Sequence, residues 1–156
     1  MNKQIKIVTG KVHTGKTTRL FAFANSHKSV DGILVPVIHD KRMIYNISSK
    51  ELKQLEVDNN SNKCISVGKY NFLNESFSWA NKKLIDGFSK NPEWIILDEI
   101  GKLELEKKGL FESADFILTN FRNTKTNIIF VIRDYLLDAV LKSFNLNANE
   151  IEIMNL

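Results

Sequence analysis

Gly10-Lys11-Val12-His13-Thr14-Gly15-Lys16-Thr17-Thr18 sets two glycines, a lysine and two threonines at the spacing G-x-x-x-x-G-K-[ST]. That spacing serves a phosphate. Glycines let the backbone wrap closely around the anion and turn its N–H groups inward. A helix that starts after the second glycine adds unpaired N–H groups and a partial positive charge to the same anion. Gly10, Lys11, Val12, His13, Thr14 and Gly15 therefore act through their backbone, and His13 fills a variable position. Lys16 reaches the β- and γ-phosphates as a point charge, and the Thr17 hydroxyl ligates a Mg2+ that bridges them. Thr18 caps the helix or meets the α-phosphate side. The ligand expected from these residues is a nucleoside triphosphate (ATP, GTP or another), with Mg2+ as cofactor.

The flanks supply the context that such a loop needs. Gln4 to Thr9 reads as a short strand, and Lys16 to Asn25 carries Leu20, Phe21 and Phe23 at helical spacing. Farther on, Ile33 to Ile38 and Met43 to Ile47 read as strands joined by a turn at His39 to Arg42, hence a hairpin. Glu51 to Lys63 is polar and Asn-rich towards its end, and reads as a surface loop. Phe72 to Phe88 is helical, with Leu73, Phe77, Ala80, Leu84 and Phe88 on one stripe. Trp94 to Leu97 and Asn127 to Ile132 are continuous apolar runs, the pattern of strands buried on both faces. Helices are expected at Lys108 to Phe121 and Tyr135 to Phe144, and a last short strand at Ile151 to Ile153. Strands alternating with helices imply an α/β layer fold with a mainly parallel sheet. With no internal repeat or linker, residues 1–156 read as a single domain with a hairpin-rich insertion at about 31–70.

The second half of the site is Trp94-Ile95-Ile96-Leu97-Asp98-Glu99. Apolar residues running into an acid at a strand end form the Mg2+-side element of such enzymes, so Asp98 joins Thr17 as a metal residue. Glu99, directly after it, is placed to orient and deprotonate an attacking water, which suits hydrolysis better than transfer to a hydroxyl. In another setting the same two acids would be an ordinary surface turn. The arginines are Arg19, Arg42, Arg122 and Arg133. Arg133 follows a buried strand and so stands at the edge where open α/β sheets bind ligands. It is the candidate catalytic charge stabiliser beside Glu99 and Lys16, and the plainer alternative is an ion pair with Asp134 or another neighbour. Asn81-Lys82-Lys83-Leu84 lacks the Asp of the guanine-reading N-K-x-D motif and precedes the acid pair, so no base preference is written there.

Composition closes several other classes. A single cysteine, Cys64, excludes a disulfide scaffold, and aromatics at 10% exclude wholesale disorder. No apolar run approaches the ~18 residues of a membrane span. The expected setting is cytoplasmic, with no membrane partner. Net charge is +4 and the pI about 9.1, but the lysines are scattered among acids with no like-charged block. That distribution argues against a nucleic-acid partner without closing the option, and an unknown protein partner stays open.

Asp98-Glu99-Ile100-Gly101-Lys102-Leu103-Glu104-Leu105 resembles the D-E-I-G-K-M-E-L signature of the cancer-related nucleoside-triphosphatase family, and Val67-Gly68-Lys69-Tyr70 resembles its V-G-K/Q-Y element. The order of elements is the same along nearly the whole chain. The resemblance implies a P-loop NTPase of RecA-like or ABC-like architecture, a three-layer sandwich with a mainly parallel mixed sheet and an antiparallel hairpin insertion. It also implies slow, Mg2+-dependent hydrolysis of several nucleoside triphosphates with loose base preference. By position, Gly10 to Thr18 hold phosphates, Asp98 serves the metal and Glu99 activates water; Lys102 and Glu104 couple the γ-phosphate to the following helix. The chain departs from the family's Gly-Phe-x-x-x-Glu and Gly-Phe-Asp segments, having Gly32 to Ile38 and Tyr45-Asn46-Ile47 there. Two alternatives remain at this level: a nucleotide or small-molecule kinase, and a nucleotide-gated binding or regulatory module. A kinase commonly needs an arginine-rich lid, which four dispersed arginines make hard to build.

Overall fold

The computed structural model describes residues 5–10 and 15–154. Strand β1 (Ile5–Gly10) leads through the phosphate loop into α1 (Lys16–Ser26). The expectations for Gln4, Lys11, Val12, His13 and Thr14 fall outside the described residues. β2 (Val30–Leu34) follows, then the hairpin of β3 (Val37–Ile38) and β4 (Lys41–Asn46). Next come β5 (Leu52–Gln54), β6 (Glu56–Val57), β7 (Cys64–Val67) and β8 (Tyr70–Leu73). The chain then alternates: α2 (Asn74–Ser89), β9 (Trp94–Ile100), a short α3 (Lys102–Leu105), α4 (Phe111–Asn120), β10 (Asn127–Arg133), α5 (Leu137–Ser143) and β11 (Ile151–Ile153).

The main sheet runs β11-β1-β10-β9-β2-β4-β3, with β5 also paired to β4. Strands β11, β1, β10, β9 and β2 are parallel, whereas β4 pairs antiparallel with β2, β3 and β5. A second, three-stranded antiparallel sheet, β6-β8-β7, belongs to the insertion. This is the mainly parallel mixed sheet with an antiparallel hairpin insertion that the residues imply.

The two-residue period of the strands builds three layers. On β10, Ile128, Phe130 and Ile132 face the core formed with α2, α4 and α5, while Ile129 and Val131 face the smaller core under α1. β9 repeats the pattern, with Ile95 and Leu97 on the first face and Ile96 on the second. Both faces of these strands are covered, which explains their unbroken apolar runs.

Several boundaries differ from the sequence reading. The strand expected over Ile33 to Ile38 is broken after Leu34: Pro36 has no N–H, and the Val35 N–H is diverted to the Asp98 carboxylate at 2.9 Å. The hairpin turn is tighter than His39 to Arg42. It is His39-Asp40, both at positive φ, which brings Ile38 opposite Lys41. The polar stretch Glu51 to Lys63 is no free loop, since β5 and β6 lie in it. Their signal is weak because pairing to strand edges, and not a buried face, holds them: Leu52 is exposed and Glu56 is buried. Phe72 and Leu73 end strand β8 and do not begin α2. α4 starts at Phe111, three residues later than expected, and α5 is preceded by a 3-10 turn at Asp134–Leu136. The short helix α3 was not expected at all.

Candidate functional site

The C-terminal ends of β1, β9, β10 and β2 converge where the phosphate loop meets α1. Gly15, at φ +76, precedes the first turn of α1, and the Arg19 N–H donates to its carbonyl at 3.1 Å. The register of the parallel strands sets Gly10 opposite Arg133. Gly15, Lys16, Thr17, Thr18, Asp98 and Glu99 line one cavity of about 520 Å3, and Arg133 stands on its wall. The structure thus brings together those expected site residues that it describes.

Asp98 is buried to 1% exposure. The Thr17 hydroxyl and the Val35 N–H each donate to its Oδ2 at 2.9 Å. Burial, and then the charge of Glu99, push the Asp98 carboxyl up to about 7 against those two hydrogen bonds. A buried carboxylate with a hydroxyl beside it is an all-oxygen donor pair, which suits Mg2+ better than a soft metal. Among the described residues no three His, Cys, Asp or Glu side chains cluster as a metal cage.

Glu99 is set by a β-bulge. Leu97 opposes Phe130 and Ile100 opposes Ile132, so β9 carries one residue more than β10 between those pairs. Glu99 holds φ +61, a left-handed conformation costly for a residue with a Cβ. The extra residue shifts the parity of the strand. Ile100 returns to the face of Leu97 and is buried in the larger core, while Asp98 and Glu99 both line the cavity. Without the bulge, alternation would turn Ile100 out of that core. Arg133 Nη2 lies 3.7 Å from Glu99 Oε2, both side chains being partly exposed. The ion pair expected with Asp134 or a neighbour is therefore formed with Glu99.

Glu104, given a coupling role only by the resemblance, is held by two backbone N–H groups. Its carboxylate, 3% exposed, accepts the Gly101 N–H at 2.7 Å on one oxygen and the Leu110 N–H at 2.8 Å on the other. It thereby ties the end of β9 to the start of α4. Gly109 makes room for it: a Cβ there would collide with Glu104 Oε2, and the φ of +64 suits glycine. Burial pushes the Glu104 carboxyl up to about 7, opposed by those same two N–H donors. Lys102 lines the cavity with its ammonium 5.9 Å from the centre of the Tyr135 ring. Asn81 reads no base. It sits inside α2, donating to the Gly109 carbonyl at 2.9 Å and accepting from Ser113.

Sequence reasoning missed Arg42 and Tyr70 as cavity residues. Arg42 gave no signal among scattered basic residues. Tyr70 belongs to the Val67-Gly68-Lys69-Tyr70 element, whose form is now plain. Val67 pairs with Tyr70 across a two-residue turn in which Gly68 takes φ +57, and this hairpin tip reaches the cavity. A glycine at the first turn position is what a type II′ hairpin needs.

Three comparisons bear on this geometry. A family model described as NTPase matches residues 6–156. The crystal structure of THEP1 from the hyperthermophile Aquifex aeolicus is similar over 98% of this chain and 90% of that one, with a TM-score of 0.77 at 21% identity, a likeness of fold. No curated protein matches the chain.

Proposed function

The chain belongs to the NTPase family, and from that premise we propose that it hydrolyses nucleoside triphosphates to the diphosphate and phosphate, with Mg2+ and with loose base preference. The observation that carries this reading is the bulge that turns Glu99 toward the same cavity as Asp98, Lys16 and Thr17. A carboxylate carried on this strained backbone, at a nucleotide's phosphate end, is placed to act on water. All of residues 1–156 serve as one domain, with residues 31–70 as its insertion.

Each residue then has a task. The N-terminus of α1, Lys16 and the loop backbone hold the phosphates. Thr17 and Asp98 would hold Mg2+, which when bound neutralises charge on the β- and γ-phosphates. Glu99 accepts a proton from water as the water oxygen bonds to the γ-phosphorus and the bond to the bridging oxygen breaks. Arg133 keeps Glu99 oriented and offers positive charge at the phosphate edge. Glu104 fixes Gly101, two residues past Glu99, and so steadies the bulge. Loose base preference agrees with Asn81 being spent inside the protein.

The test is phosphate release from ATP, GTP, CTP and UTP, with and without Mg2+, by the wild type and Lys16→Ala. Release from several triphosphates that requires Mg2+ and falls ~10-fold or more in the variant supports the proposal, since a charge-assisted phosphate contact is worth about 1.5–3 kcal/mol. Release from one triphosphate only would remove the loose preference. Tight binding of all four without release would remove hydrolysis.

A further inference from the structure

The cavity is larger than a phosphate site and has two unlike ends. One end is the phosphate loop with Asp98, Glu99 and Arg133. The other runs under the insertion, where its walls are apolar: Val37, Leu55, Val67, Phe72 and Phe77. The cavity measures about 520 Å3 in all. Its insertion end, with apolar and aromatic walls and few polar groups, has the character of a small-molecule pocket.

The polar group at the insertion end is Arg42. Its side chain is 13% exposed, and its guanidinium carbon lies 4.6 Å from the centre of the Tyr70 ring. One Nη1 bond, at 3.1 Å, goes to Glu56, itself buried and outside the cavity wall. A guanidinium has five N–H donors. Glu56 therefore fixes the head of Arg42 from behind and leaves donors for whatever fills the cavity. Burying such a pair is costly for stability alone, which marks it as a candidate recognition element. The surroundings also say what it recognises. Lys41 and Arg42 are matched by Glu56 and Asp58, and Lys69 stands 5.4 Å from the centre of the Tyr70 ring. Aromatic walls with the directed donors of Arg42 fit a flat ring with carbonyl or ring-nitrogen acceptors.

Resting on the proposed triphosphatase reading, we infer that the insertion end of the cavity is a second ligand subsite, which takes the heteroaromatic base of a separate nucleoside-like molecule. The alternative source of such a ring is the base of the bound triphosphate itself. The two acids disfavour it: Asp98 and Glu99 meet the γ end of the phosphate chain, and the base is attached at the other end.

The test uses saturation-transfer NMR on the full chain, with adenosine, guanosine, cytidine and uridine as probes, in the presence and absence of saturating MgADP. Nucleosides lack the phosphates that the loop holds. The expected result is that at least one binds equally well with MgADP in place. Val67→Trp, a half-buried position that fills the subsite, should abolish that binding while MgADP affinity and the melting temperature stay as in the wild type. Arg42→Gln should weaken it ~10-fold, the loss of a charge-assisted hydrogen bond. Competition between nucleoside and MgADP would overturn the inference by assigning the ring to the nucleotide's own base. So would absence of nucleoside binding in a protein that binds MgADP. If MgADP itself failed to bind, the triphosphatase reading would fall first and take this inference with it.

Discussion

The parallel core and the antiparallel insertion meet at one cavity but are held together differently. Strands β9 and β10 bury side chains on both faces, with Ile95, Ile96, Ile128 and Ile129 all fully enclosed. The insertion's strands are two to six residues long. Val37 is 56% exposed and Leu52 45%, while Glu56 is buried and its partner Arg42 is partly buried. The insertion buries fewer large side chains, among them Ile33, Leu34, Val35, Ile44 and Leu55. It brings Arg42 and Tyr70 to the same cavity as Lys16 and Asp98.

The difference is sharpest in stability. Phe130→Ala empties a position 1% exposed in the centre of β10 and should cost about 3–5 kcal/mol in denaturant unfolding. Leu52→Ser in the insertion should fall within about 0.5 kcal/mol of the wild type. Equal losses at the two positions would break the contrast.

Glu104 tests how the core supports the site. Its carboxyl is raised in the folded protein, so between the unfolded value of 4.5 and about 7 the folded state holds a proton that the unfolded state has released. Its contribution is fully present below 4.5 and is lost as pH rises through about 7. It amounts to about 3 kcal/mol at most. Unfolding of the nucleotide-free protein followed from pH 4.5 to 8 should show that decline, and Glu104→Gln should remove this share of it. A decline of the same size in the variant would assign it to other groups.

Arg133→Ala separates catalysis from binding. It should lower kcat ~10-fold or more, because a charge aimed at the developing transition state is lost, with little change in KM. A rise in KM alone would make Arg133 a ground-state contact. A small effect is expected at the hairpin tip. Gly68→Ala forces a side chain into φ +57 and should cost about 1 kcal/mol of stability, read by thermal melting. No cost would mean that the tip relaxes freely.

The same contrast explains what was legible in the sequence. Core strands announce themselves because two-sided burial demands unbroken apolar runs, and the phosphate loop because its chemistry fixes residue types at fixed spacing. Strands β5 and β6 satisfy backbone pairing with little apolar burial, so Leu52–Gln54 and Glu56–Val57 leave only a polar stretch to read. Asp98 and Glu99 were legible as a pair, but the bulge that aims them was not. It is a one-residue mismatch with β10 that exists only once the strands are aligned. Arg42 was illegible for a similar reason, since its partners Glu56 and Tyr70 stand on two other strands, β6 and β8.

The central claim is that Glu99 acts on water while its neighbours bind. The most direct measurement compares wild type and Glu99→Gln for MgATP affinity, by calorimetry, and for single-turnover phosphate release. The account predicts unchanged affinity within a few-fold, with release slowed ~10²–10⁴-fold, the range for loss of a general base. Release at the wild-type rate would contradict it, and the bulge at Glu99 would then have to be explained without catalysis.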